Sequence, residues 1–237
     1  MCERAAGVDW QMLLAVVASL AVAFVCGWIR SWRAEKRQGK WRVFASSLGL
    51  KWKATDPLRT ALSWPHPMFH RGRRRLVRNW TSGSYRGLPV RCFDYRYSVS
   101  YGQEERTYSY TVVALVPPIP FAPLVVRPET LGDRLAAAAG FDDIDFESDE
   151  FSRRYYVKSR DRQFAYGVLH QKAMEYLLSL GPIIIEGDAP AVLFLWAQEG
   201  FLDLPDGPQE LLDAACGFLE LLPGYMVQDG KAGLSQS

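Results

Sequence analysis

The chain has 237 residues, a formal net charge of +2, and 49% apolar, 13% aromatic and 23% charged residues. This is enough apolar material to bury a core, so the composition excludes a disordered chain, and no nucleic-acid partner is expected. Cys2, Cys26, Cys92 and Cys216 are too scattered for a disulfide framework or a zinc knuckle.

From Met12 to Ile29 the only polar side chain is Ser19. About 20 helical residues match a ~30 Å hydrocarbon core, so this run predicts a transmembrane helix over 12–29. Trp10, Trp28 and Trp32 fall at headgroup depth. A cleaved signal peptide fits less well, because the start carries Glu3 and Asp9 and bulky Trp28 and Ile29 stand where a cleavage site would be. Arg30, Arg33, Lys36, Arg37, Lys40 and Arg42 follow. The positive side stays in the cytoplasm, which predicts an outside N-terminus over residues 1–11 and a cytoplasmic C-terminal domain.

Charge is segregated along the chain: residues 30–106 carry 18 Lys or Arg against 5 Asp or Glu, and residues 107–237 carry 9 against 19. Basic material thus lies next to the span, where anionic headgroups attract it by about 1 kcal/mol per residue at the surface. Arg30, Arg33, Lys36 and Arg37, with Arg71, Arg73, Arg74 and Arg75, are the candidates for anionic-lipid contact.

Residues 30–72 read as a basic juxtamembrane helix and a Pro-rich linker. Trp41, Phe44, Ala45 and Leu48 share one helical face, suited either to the bilayer surface or to the domain, and Gly49 is a stop. His66 and His70 flank Pro67, which argues against a zinc-binding helix face. No metal site or cofactor is expected.

Residues 73–227 read as one α+β domain. Phe93, Tyr95, Tyr97, Val99 and Tyr101 alternate with polar residues, as do Tyr108, Tyr110, Val112, Ala114 and Val116, which predicts an antiparallel meander. Tyr95, Tyr97, Tyr101, Tyr108 and Tyr110 are the candidate lining of an apolar-ligand face, with cross-strand aromatic packing as the competing explanation. Leu124 to Arg127 reads as an edge strand, Leu131 to Ala139 as a short helix, Asp142 to Glu150 as an acidic edge, and Phe151 to Lys158 as a strand. Asp161 to Leu180 reads as one helix with His170 at the edge of its stripe. Ile183 to Trp196 forms a second hairpin, Asp206 opens the last helix, and residues 228–237 form a tail.

The segments "FASSLGLKW", "RNWTSGSYRGLPVRCFDYRYS", "TYSYTVVAL" and "DFESDEFSRRYYVKSRDRQFAYGVLHQKAMEYLL" resemble an uncharacterised family of bacterial single-pass membrane-anchored proteins, over roughly Val43 to Val227. Members often have Pro where this chain has Gln171. The resemblance implies an anchored domain and supplies no catalytic residue.

The expected fold is therefore a transmembrane helix followed by a meander-rich antiparallel sheet, with a partial barrel compatible with the order, packed by two C-terminal helices. No nucleotide, zinc-protease, serine-hydrolase or kinase signature is present. The leading functional expectation is a membrane-tethered, non-enzymatic interaction or regulatory module with an unknown protein partner. Lipid or apolar-ligand binding is the alternative, and a hydrolase using His66, His70 or His170 comes third.

Overall fold

The computed structural model describes residues 10–56, 59–129, 144 and 146–227. Two compact units divide at residue 40: Met1–Lys40 and Trp41–Ser237. Helix α1, Trp10–Ser47, runs through the division.

In the first unit the helix is the one, among the described residues, long and apolar enough to cross a membrane, with a mean hydropathy of 2.5 over its best window. Trp10, Val16, Leu20, Phe24 and Trp28 are all exposed. Ser19 Oγ donates to the Ala15 carbonyl at 2.8 Å, which satisfies the one hydroxyl in the run as an apolar surrounding requires.

In the second unit, the final turns of α1 bury Trp41, Phe44 and Ala45 in the domain core rather than offering them to a bilayer. Gly49, at φ 67°, ends the helix. The Leu50 amide reaches back to the Ala45 carbonyl at 2.7 Å, a Schellman closure that an L side chain at this φ would strain.

Eight strands follow: β1 Lys51–Thr55, β2 Arg73–Tyr85, β3 Leu88–Tyr101, β4 Glu104–Leu115, β5 Leu124–Pro128, β6 Tyr155–Ser159, β7 Ile183–Asp188 and β8 Ala191–Trp196. They form a single sheet in the order β1-β2-β3-β4-β8-β7-β5-β6, antiparallel at every pairing. The sheet is open, with β1 and β6 at its edges, and does not roll into a partial barrel. The expected meander and second hairpin are both present, in the register Phe93 with Val112, Tyr95 with Tyr110, and Tyr97 with Tyr108.

Three local expectations change. Leu124–Pro128 is an interior strand held by β7 and β6, because its alternate residues Leu124 and Val126 find partners on both sides. The start of the supposed strand at Phe151 is helical: α3, Asp149–Arg154, is capped by Ser148 Oγ accepting from the Phe151 amide, and only Tyr155 onward is strand. The long helix from Asp161 is two, α4 Arg162–Val168 and α5 Gln171–Ser179. Leu169 leaves helical geometry and His170 becomes the extended cap residue of α5, so the Gln171 position is the first of a new helix, where Pro is well suited. Helix α6, Asp206–Glu220, completes the domain as expected. The Leu131 to Ala139 helix, Asp142, Asp143, Asp145 and the tail lie outside the described residues.

Both sheet faces are covered. On one, Val113, Leu115, Ile183, Ile185, Val192 and Phe194 meet Leu169, Leu177, Leu211 and Phe218 of the helices. On the other, Phe93, Tyr95, Val112 and Leu193 meet Trp64, Met68 and Phe69 from residues 59–72, a strap containing the 3-10 turn Ala61–Ser63 and the single turn α2, Pro67–His70. Pro67 opens that turn rather than breaking it.

Candidate functional site

The three histidines bond to backbone carbonyls. His66 is fully buried and its Nε2 donates to Ala191 O at 2.8 Å. Burial holds its imidazole down at about pKa 4, so it is neutral at pH 7. Its Nδ1 is buried without a partner among the described residues. His70 Nε2 donates to Trp64 O at 2.9 Å, and His170 Nε2 to Leu221 O at 2.8 Å beside the helix-side core. No group of three or more His, Cys, Asp or Glu among the described residues is placed to hold a metal ion.

The tyrosine face is assembled as the alternation predicts. Tyr95 stacks on Tyr97 at 5.6 Å between centroids, and Tyr97 on Tyr108 at 5.2 Å and Tyr110 at 6.5 Å. Tyr95, Tyr97 and Tyr108 are buried, and the Tyr95 hydroxyl donates to Met68 O at 3.1 Å. Desolvation pushes the Tyr97 hydroxyl up to about 12. A ligand on Tyr95 has to displace the strap. The Tyr101 side chain lies outside the described set.

Glu186 holds the same strap. Its buried carboxylate accepts from the Met68 amide at 3.0 Å, and desolvation raises its pKa against the opposing pull of that bond, Arg71 and Arg127. A second buried carboxylate, Asp94, accepts from Trp41 Nε1 at 3.0 Å, Asn79 Nδ2 at 2.8 Å and Thr111 Oγ1 at 3.0 Å. By the period of its strand Asp94 belongs to the polar face opposite Tyr95. The indole that fills its place is 53 residues away in sequence, and nothing local announces it.

The arginines separate by place. Arg30, Arg33 and Lys36 are exposed on α1 in the first unit, with Arg37 partly so. In the second unit Arg71 turns toward the Tyr97 hydroxyl, while Arg73, Arg74 and Arg75 line an open cleft of about 610 Å³ together with Arg59, Leu62, Ser63 and Gly72. Sequence reasoning missed Arg59, which stands alone, 12 residues before the basic run.

The second unit thus defines a class, an α+β domain with an open antiparallel sheet covered on both faces, carried by a chain with one membrane-length helix among its described residues. No family model matches the chain, and neither does any curated protein. Among solved structures, the mycobacterial trehalose monomycolate transport factor A, TtfA, is similar, at 14% identity and a TM-score of 0.50, over 78% of this chain and 96% of that one. At that identity the likeness is one of fold.

Proposed function

We propose that the protein is a membrane-tethered, non-enzymatic interaction module, with its N-terminus outside and its folded unit in the cytoplasm. One observation carries the reading. The same chain joins a helix that is apolar and exposed along its first half to a folded unit whose histidines and buried carboxylates are taken up in holding backbone and indole groups. Side chains committed in this way position the strap and the helices. The basic flank Arg30 to Arg42 supports the sidedness. The similar solved structure is named as a trehalose monomycolate transport factor, a name compatible with lipid binding as the second reading.

The test is proximity labelling from a ligase fused to the C-terminus, with affinity capture from detergent extracts. Cytoplasmic labelling and a reproducibly enriched protein are expected. Release of the protein into the soluble fraction without its first thirty residues, or capture that recovers no reproducible partner, would overturn the reading.

A further inference from the structure

We infer that the cleft lined by Arg59, Arg73, Arg74 and Arg75 is a binding site for the phosphate-bearing headgroup of an anionic membrane lipid. Its construction starts with the strand. Along β2 the pairing moves from Arg73 opposite Ser98 to Leu76 opposite Arg96, three residues against two, so one extra residue is inserted. In a regular strand Arg73 and Arg75 would face one side and Arg74 the other. The bulge, with Arg74 at φ 53°, breaks that alternation, and all three consecutive arginines line the same concavity.

Gly72 sets the cleft's edge against β3. It sits at φ 59°, and a Cβ there would come within 2.3 Å of the Ser98 carbonyl oxygen, so only glycine permits the approach. Arg59, at φ 51°, adds the fourth guanidinium from the start of the strap.

Charge in the cleft is only partly balanced. Arg74 Nη1 meets Glu105 Oε2 at 2.8 Å and Arg73 Nε meets Glu105 Oε1 at 3.7 Å, so one carboxylate serves two guanidinium groups. Arg73 also donates to Ser100 Oγ, and Arg75 Nη1 donates to the Phe69 carbonyl at 2.5 Å, which ties it to the strap. The Arg73 and Arg74 side chains are 64% and 75% exposed, within reach of a ligand from solvent. Guanidinium forks match phosphate oxygens in bidentate geometry, and the cleft falls in the size range of ligand pockets, about 300–1,000 Å³.

The source of the phosphate follows from the rest of the chain. Among the described residues the lining has no aromatic ring on which a nucleobase would stack. A domain tethered by a membrane helix meets lipid headgroups at high effective concentration. The inference rests on the membrane-tethered reading for that source, and on the cleft alone for its chemistry.

The experiment uses full-length protein in an uncharged detergent and calorimetric titration with short-chain phosphatidylglycerol, short-chain phosphatidylcholine and glycerol phosphate. Phosphatidylglycerol is expected to bind, and to bind more weakly as salt rises. The double variant Arg59→Gln with Arg74→Gln should weaken it by about ten-fold or more, whereas Arg162→Gln with Lys172→Gln, exposed charges elsewhere, should leave it unchanged. Glu105→Gln, which releases Arg73 and Arg74 from their carboxylate, should tighten it by about two- to five-fold.

Phosphatidylcholine binding as tightly as phosphatidylglycerol, or unchanged binding in the double variant, would overturn the site. Glycerol phosphate binding as tightly as the lipid would overturn the lipid source. No protein partner and no membrane orientation enter this titration, so its failure leaves the interaction-module reading standing, and failure of partner capture leaves the cleft standing.

Discussion

The sheet face under the helices is built from Val113, Leu115, Ile185, Val192 and Phe194, whereas the face under the strap carries Trp80, Phe93, Tyr95, Tyr97 and Tyr108 with Glu186 among them, packed against Trp64, His66 and Phe69 of the strap. The cover explains the contrast. A helix satisfies most of its own backbone groups and asks the sheet only for apolar contact. A strap of one 3-10 turn and one helical turn cannot, so its peptide groups need partners from elsewhere. Glu186 takes the Met68 amide, the Tyr95 hydroxyl takes the Met68 carbonyl, and Asp56 takes the Ala61 amide at 2.8 Å. Buried polar side chains on this face are therefore the means by which irregular backbone is kept dry.

The largest expected effect lies on the helix face. Phe194→Ala removes a fully buried ring that meets Phe218 at 5.8 Å, and should cost about 3–5 kcal/mol in global unfolding followed by urea titration in detergent. A loss confined to the strap would break the comparison.

Next comes acid. His66 is held at about 4 when folded against 6.5 when unfolded, so between these values the unfolded chain binds more protons and stability falls as pH drops. The loss across that window is on the order of 3 kcal/mol, and His66→Phe should flatten it in thermal melts from pH 7 to 4. Glu186 acts with the opposite sign. Its raised pKa makes the folded state hold the extra proton above the ordinary carboxylate range, so its contribution shrinks as pH rises. Glu186→Gln should therefore steepen the acid loss due to His66, and a shallower slope would contradict the assignment.

The smallest effect sharpens the contrast most. Tyr95→Phe leaves the ring packing and removes the donor to Met68 O, at a cost of about 1 kcal/mol. Amide hydrogen exchange should quicken at Met68 and Phe69 and stay unchanged in β7 and β8, because the strap opens locally while the helix face stays closed.

Much of this architecture was legible in the residues. The alternation of Phe93, Tyr95 and Tyr97 and of Tyr108, Tyr110 and Val112 predicts the antiparallel hairpin, since a period of two is carried by near neighbours, while the register is given by the structure. The break at Leu169 and His170 was hidden, because the apolar stripe continues unbroken across two helices. The cleft was half visible: the Arg73 to Arg75 run announced itself, but Arg59 and the β2 bulge that gathers the three did not.

What the sequence by itself determined is what depends on neighbours in the chain: the membrane-length apolar helix, the strand periods, the stop at Gly49 and the basic flank. The tertiary structure alone decided that Trp41 lies on Asp94, that His66 reaches Ala191 across 125 residues, and that Arg59 joins Arg74 in one cleft. A side chain's partner across a sheet depends on strand order and register, and these are settled by the burial of both faces at once rather than by any single segment.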